Sequence, residues 1–275
     1  MTYCVAMRLN AGLVFLSDSR TNAGMDQIST FRKMTVYEKP DDRVLVVLSA
    51  GNLAITQAVK QLLGNESIEG SDGEPATLWT AKSLFDCARI VGSAVRKVYT
   101  RDAESLKQHG IDFNCSLIIG GQIKGETMRL FNVYAAGNFV EAGIDGVCYF
   151  QIGESKYGKP VIDRVVTPVT PLQEAAKCAL ISMDSTLKSN LSVGLPLDLM
   201  VYEADTLKVD KLINIDDTNA YFRMIRTSWG QRLRQVFDSI PDPSWHGEQP
   251  DLSSNAASSQ PQAMNPLNKI SAPNG

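Results

Sequence analysis

The chain has 275 residues, of which 44% are hydrophobic and 21% are charged, and its formal net charge is −3. A weakly negative protein of ordinary composition gives no electrostatic reason to expect nucleic acid or an anionic membrane as a partner. The sequence has no apolar run near the ~20 residues of a membrane span and no secretory leader, so we expect a cytoplasmic protein.

Strands are predicted where short runs of β-branched and aromatic residues are bounded by turn residues. Gly120-Gly121 is interpreted as a turn that ends one of these strands. The pattern predicts strands at residues 3–9, 13–17, 33–38, 43–49, 113–120, 128–135, 146–152 and 197–203.

Helices are predicted where apolar residues recur at helical spacing. One begins at a cap on Asn52 and ends near residue 64, and a longer one covers residues 78–100. A third begins at Thr170-Pro171, read as an N-cap followed by a proline at the first helical position, and a fourth covers residues 217–237. Blocks of strands separated by helices predict an α+β fold with two antiparallel sheets between helical layers.

The domain is predicted to end at residue 240. Residues 241–275 are rich in Pro, Ser, Asn, Gln and Ala. A segment of this composition cannot bury enough apolar surface to fold, so it is predicted to be a disordered tail.

Several common catalytic arrangements are hard to build from this sequence. Only two histidines occur: His109 lies in a polar turn and His246 in the predicted tail. A Ser-His-Asp or Cys-His enzyme would need one of them as its base. The five cysteines are dispersed, which indicates buried thiols in a reducing compartment rather than a zinc site. No metal or cofactor is expected.

The first 51 residues contain a constellation that needs no histidine: Thr2, Asp18-Ser19-Arg20, Lys33 and Ser49-Ala50-Gly51. Methionine is normally removed before a small residue, so we expect the mature chain to begin with Thr2. Its α-amine, with an ordinary pKa of about 8, can then serve as the base for its own hydroxyl.

These residues resemble the active-site end of the proteasome-type β subunits, which are N-terminal-nucleophile (Ntn) hydrolases. That family has Thr on the first strand, an Asp-Ser/Thr-Arg motif after the second, Lys on the third, and Ala-Gly between the fourth strand and the first helix. The spacings here, 16 residues from Thr2 to Asp18 and 15 from Asp18 to Lys33, are within a residue of the family's. The match is specific over about the first 55 residues and looser to about residue 238. Within the family, the chain is most similar to the bacterial ancestral-β-subunit (Anbu) proteins.

The resemblance implies a four-layer αββα sandwich and a threonine amidohydrolase. Thr2 would attack a peptide carbonyl, with its α-amine, through a water, accepting the proton. Lys33 would lower the pKa of the Thr2 hydroxyl, and Asp18 would pair with Lys33. The Gly51 N–H would donate to the oxyanion, and Arg20 would position its neighbours.

Two further family sites are less well matched. The family's Ser-Gly loop corresponds to Gly153-Glu154-Ser155, where Ser155 is the better candidate for the hydroxyl. In the family's Asp-x-x-Ser-Gly motif, Ser192 matches but Ser189 replaces the aspartate that helps to hold the terminal amine. The missing aspartate therefore predicts weak activity or a different substrate.

By alignment, the pocket for the residue before the scissile bond would be lined by Thr21, Phe31, Ser49 and Leu53, which fix no preferred side chain. The resemblance implies a self-assembling peptidase that forms a ring or helical stack of identical subunits. Two alternatives remain: an Ntn hydrolase of a small non-peptide amide, and a catalytically weak oligomeric binding scaffold, which the residue at 189 favours.

Overall fold

The computed structural model describes residues 1–22, 28–69, 75–143 and 146–243. The chain divides into two units, Met1–Gly230 and Gln231–Gly275. The boundary predicted at residue 240 stays a prediction. Of the predicted tail, residues 244–275 lie outside the described part of the chain.

The described residues form fourteen strands and five helices. The strands are β1 (Tyr3–Leu9), β2 (Gly12–Asp18), β3 (Arg20–Asn22), β4 (Ile28–Thr30), β5 (Met34–Lys39), β6 (Arg43–Gly51), β7 (Ile68–Glu69), β8 (Pro75–Ala76), β9 (Cys115–Ile123), β10 (Arg129–Val133), β11 (Phe139–Glu141), β12 (Tyr149–Gly153), β13 (Leu197–Glu203) and β14 (Lys211–Ile215). The helices are α1 (Leu53–Asn65), α2 (Leu84–Gln108), α3 (Lys159–Val165), α4 (Leu172–Ser189) and α5 (Ala220–Ser239).

The first unit contains two five-stranded sheets. The first sheet has the order β12-β1-β2-β13-β14, and the second has the order β11-β10-β9-β6-β5. Neighbouring strands in both sheets are antiparallel. The predicted α+β class with two antiparallel sheets is therefore confirmed. Among the described residues, no helix is both long and apolar enough to cross a membrane.

Three apolar clusters hold these elements together. Because side chains alternate along a strand, Leu45 and Val47 of β6 pack with α1 and α2, whereas Val46 packs with strands of the first sheet. On the far side of the first sheet, Leu16 of β2 packs with Met183 of α4. One cluster thus lies between helices and the second sheet, one between the sheets, and one between the first sheet and its helices.

Three local predictions were wrong. Helix α2 begins at Leu84 rather than at residue 78, because Ser83 caps it by accepting the Asp86 N–H at 3.0 Å. Thr170 does not cap α4; its hydroxyl accepts the Thr167 N–H at 2.9 Å instead. The predicted turn at Gly120-Gly121 lies inside β9. The predicted cap at Asn52 is confirmed by a 3.0 Å bond from the Ala54 N–H.

All five cysteines are buried and unpaired, as the sequence indicates. Burial raises the pKa of Cys4, Cys87 and Cys115 to about 12. These thiols are therefore protonated packing groups at neutral pH.

Helix α2 touches the turn between β10 and β11 at Gly92, where an added Cβ would lie 2.1 Å from the carbonyl oxygen of Gly137. We expect Gly92→Ala to lower the free energy of unfolding by about 1–3 kcal/mol, because the helix must move off the turn. The corresponding fall in Tm is roughly 2–4 °C per kcal/mol for a chain of this size.

The matched control is Gly64→Ala in α1, where an added Cβ has no neighbour within 4 Å. It should leave stability unchanged or raise it by up to about 1 kcal/mol, through helix propensity. Equal stability of the two variants in chemical denaturation would contradict this account of the α2 contact.

Candidate active site

A buried ion pair joins Lys33, just before β5, to Asp18 at the end of β2. The Lys33 Nζ donates to Asp18 Oδ1 at 2.7 Å, and the two side chains are 7% and 0% exposed. The same ammonium donates to the carbonyl oxygen of Arg20 at 2.7 Å and lies 3.4 Å from that of Met1. Lys33 is thus held by its ion pair with Asp18, and its other hydrogen-bond partners are backbone carbonyl oxygens.

Backbone groups complete the surroundings of Asp18. Its Oδ1 accepts the Tyr3 N–H at 3.0 Å, and its Oδ2 accepts the Gly194 N–H at 3.4 Å. Burial raises the pKa of Asp18, opposed by the Lys33 ammonium and these two N–H donors. One carboxylate therefore links β1, β2, Lys33 and the loop before β13.

A cavity of about 830 Å³ opens above this pair. Thr2, Lys33 and Gly51 line it, and so do all four residues predicted for the substrate pocket: Thr21, Phe31, Ser49 and Leu53. The structure thus brings these seven residues, drawn from a stretch of about fifty, to one concave surface.

Gly51 occupies a strand-to-helix turn at the edge of this cavity. Its φ is +111°, and an added Cβ would lie 2.4 Å from the carbonyl oxygen of Asn114. The same carbonyl accepts the Asn52 N–H at 2.8 Å, and α1 begins at the next residue. Only glycine fits this turn.

The first residues of the chain are hydrogen-bonded to the end of β12 and the residue after it. The carbonyl oxygen of Thr2 accepts the Glu154 N–H at 2.7 Å. Burial, and then the charge of Lys33, lower the pKa of the α-amine of Met1, whereas the carboxylates of Asp18 and Glu154 act in the opposite direction. The α-amine of Met1 therefore loses its proton more readily than an exposed one.

The remaining predicted site residues lie outside the cavity lining. Arg20 donates to the carbonyl oxygen of Leu191 at 3.0 Å, which ties β3 to the loop before β13. Ser192 belongs to that same loop, and its N–H donates to the Asn190 side chain at 2.9 Å. Ser155 lines a different cavity, beside α3. Neither Ser155 nor Ser192 is among the residues that line the cavity of Thr2.

Lys60 and Asn114 are among the polar lining residues that the sequence analysis did not name, and Glu154 is one for which it preferred the neighbouring Ser155. Lys60 follows Leu53 by seven residues, and this spacing on a helix places two residues on the same face. The spacing could therefore have predicted that Lys60 lies near the pocket residue Leu53. Asn114 and Glu154 reach the cavity through strand pairing, which the sequence does not fix.

Solved structures identify the family. Anbu (ancestral β-subunit) from Yersinia bercovieri is 53% identical to this chain, with a TM-score of 0.80, and the match covers 88% of this chain and 100% of that one. The chain belongs to the Anbu family of proteasome-type β subunits. Anbu from Hyphomicrobium sp. strain MC1 is 48% identical, with a TM-score of 0.79 and coverage of 88% and 99%. The resemblance drawn from the sequence is confirmed.

A third Anbu structure, described as the helical assembly of the Anbu complex from Pseudomonas aeruginosa, is 44% identical. Its TM-score is 0.81, and the match covers 90% of this chain and 100% of that one. No protein-family model and no curated protein matches the chain. Within the described ranges, no three His, Cys, Asp or Glu side chains are grouped so as to hold a metal.

The burial of the Lys33–Asp18 pair predicts a large coupling. We expect Lys33→Met to lower the free energy of unfolding by about 3–5 kcal/mol, because it leaves Asp18 buried without its partner. Adding Asp18→Asn should recover part of that loss. The measurement is a double-mutant cycle by chemical denaturation at one protein concentration.

The control is the exposed pair between Lys97 and Glu66, with side chains 58% and 47% exposed. Its cycle should give a coupling of less than about 1 kcal/mol. A coupling this small for Lys33 and Asp18 would show that the pair does not act as a buried unit.

Proposed function

We propose that this Anbu protein is an N-terminal-threonine amidohydrolase, and specifically a proteasome-like peptidase. The observation that carries the proposal is the cavity lined by Thr2, Lys33 and Gly51, with Asp18 beneath the lysine. The proposal includes the four-layer αββα Ntn-hydrolase architecture, which the three apolar clusters support.

In the proposed mechanism, removal of Met1 frees the α-amine of Thr2. The Thr2 Oγ attacks the substrate carbonyl while the amine, through a water, takes the hydroxyl proton. Lys33 stabilises the developing negative charge on Oγ, and the Gly51 N–H donates to the carbonyl oxygen as it becomes an oxyanion. The proton passes to the leaving amine, and a water then hydrolyses the acyl-enzyme ester to regenerate Thr2.

We also propose that the protein works as a homo-oligomer. The support is the Pseudomonas aeruginosa relative, which is described as a helical assembly. That relative is 44% identical to this chain over its full length. We therefore expect the two chains to associate with copies of themselves in a similar way. A cytoplasmic location remains a prediction from the sequence.

A binding scaffold without turnover is the second candidate. It is favoured by Ser189 in place of the family aspartate, and by the absence of Ser155 and Ser192 from the cavity lining. Fewer groups are then available to orient the terminal amine. A peptide and amide substrate screen separates this candidate, and the small-amide hydrolase, from a peptidase.

The first test concerns Thr2. Peptide epoxyketones form a ring with a hydroxyl and an adjacent amine together, so we expect an adduct only on a chain that begins with Thr2. Tag-free, N-terminally extended and Thr2→Ala proteins should be compared by intact mass after exposure. Only the first should gain mass, because an amide nitrogen is not basic and an alanine lacks the hydroxyl.

A C-terminal tag is the matched control, since it leaves the amine free. An adduct on the extended or Thr2→Ala protein would refute the mechanism. No adduct on a chain shown to lack Met1 would favour the scaffold.

The second test concerns pH. Since the unprotonated amine is the active form, kcat/KM should rise with pH, with a midpoint below the ordinary α-amine pKa of about 8. The negative charge of Glu154 acts to raise the pKa of the Met1 α-amine, and we expect it to act in the same direction on the α-amine of Thr2 once Met1 is removed. Glu154→Gln should therefore shift the midpoint to lower pH. A shift to higher pH would contradict the assigned electrostatics.

A further inference from the structure

Lys60 is a cation of the cavity that the proposed mechanism does not use. It lies on α1, and its Nζ donates to the carbonyl oxygens of Arg32 at 3.2 Å and Lys33 at 3.5 Å. The Ser49 hydroxyl donates to the same Lys33 carbonyl at 3.3 Å. Lys60 therefore lies beside Ser49, in the part of the cavity predicted to receive the residue before the scissile bond.

No carboxylate among the described residues lies within ion-pair distance of Lys60. Asp18 is engaged by Lys33. Glu154 also lines the cavity, but its charge acts on the chain's terminal amine. An ammonium has three donors, and two are directed at carbonyl oxygens, so one remains for a ligand in the cavity.

The partial burial of Lys60 has an electrostatic consequence. Burial lowers the pKa of Lys60, because the charged form loses hydration without gaining a counter-ion. A carboxylate arriving in the cavity would supply that counter-ion. Its charge-assisted hydrogen bond would also be less screened than one on an open surface.

We propose that the cavity selects substrates whose residue on the acyl side of the scissile bond carries a carboxylate, and that Lys60 recognises that carboxylate. The inference rests on the proposed function, because it takes the wall formed by Ser49 and Leu53 as the acyl-side pocket. Aspartate and glutamate peptides are then the preferred substrate class. The sequence analysis found no charge in this pocket because Lys60 lies about two helical turns beyond Leu53, the last residue it considered.

The experiment uses four peptides that share one fluorogenic amide leaving group and carry Glu, Gln, Leu or Lys before it. The untagged protein should cleave the Glu peptide with a kcat/KM about 10- to 100-fold above that for the Gln peptide, the range expected for one hydrogen bond to a charged group. Lys60→Met should bring this ratio close to one. Lys60→Arg should retain a preference for Glu, and Lys60→Glu should transfer it to the Lys peptide.

Arg32→Met is the matched control, since Arg32 lines the same cavity but is exposed to solvent. It should keep the Glu-to-Gln ratio, because an exposed charge is screened. A ratio near one in the unmodified protein overturns the proposal. So does a ratio that survives Lys60→Met, or one that Arg32→Met abolishes equally.

Binding to Thr2→Ala separates this inference from the hydrolase proposal. Calorimetry should show tighter binding of the Glu peptide than of the Gln peptide, and Lys60→Met in the same background should remove the difference. That result without any cleavage by the unmodified chain would support Lys60 and refute only the hydrolysis. Equal affinities, or no measurable binding, would overturn the role of Lys60.

Discussion

The ion pair between Lys33 and Asp18 is the interaction on which the candidate site depends. Taking two charges out of water is expensive, and an apolar pair of similar volume is often as stable or more so. The buried pair is therefore better explained by the way it positions the surrounding backbone than by a gain in the stability of the fold. Asp18 reaches the backbone of β1 through Tyr3 and the loop before β13 through Gly194. A single carboxylate therefore holds Lys33, the start of β1 next to Thr2, and the loop before β13.

The fold was predictable wherever a strand has one consistent pattern and clear turns. β1 and β13 begin and end at the predicted residues, because both are apolar strands with turn residues at their ends. β14 was missed because four of its five residues are exposed and show no alternation. The short helix α3 is too brief for a helical period to be visible. Such elements are defined by their neighbours rather than by their own residues.

Gly121 shows why a glycine cannot be interpreted from the sequence alone. A turn and a close backbone approach both require the absence of a side chain. Here an added Cβ would lie 2.0 Å from the carbonyl oxygen of Val44 on the paired strand β6. The residue therefore belongs to the middle of the second sheet, a fact that depends on strand pairing.

The residues of the candidate site also differ in how far the sequence could predict them, and for the same reason. Thr2, Lys33 and Gly51 follow from spacing along the first strands, where the sequence order and the spatial order agree. The choice between Glu154 and Ser155 did not follow from the sequence. The two residues come directly after β12, and Glu154 lines the cavity of Thr2 whereas Ser155 lines another. A shift of one residue at a strand end decides which side chain reaches the site.

The burial of the cysteines also makes the native chain a poor target for thiol reagents. Alkylation needs a thiolate that solvent can reach, and each of the five thiols is enclosed in the folded protein. They are spread over β1, α2, β9, the residue just before β12, and α4. Maleimide labelling resolved by peptide mass would therefore report which layer opens first during unfolding, with no engineered probe and no modification of Thr2.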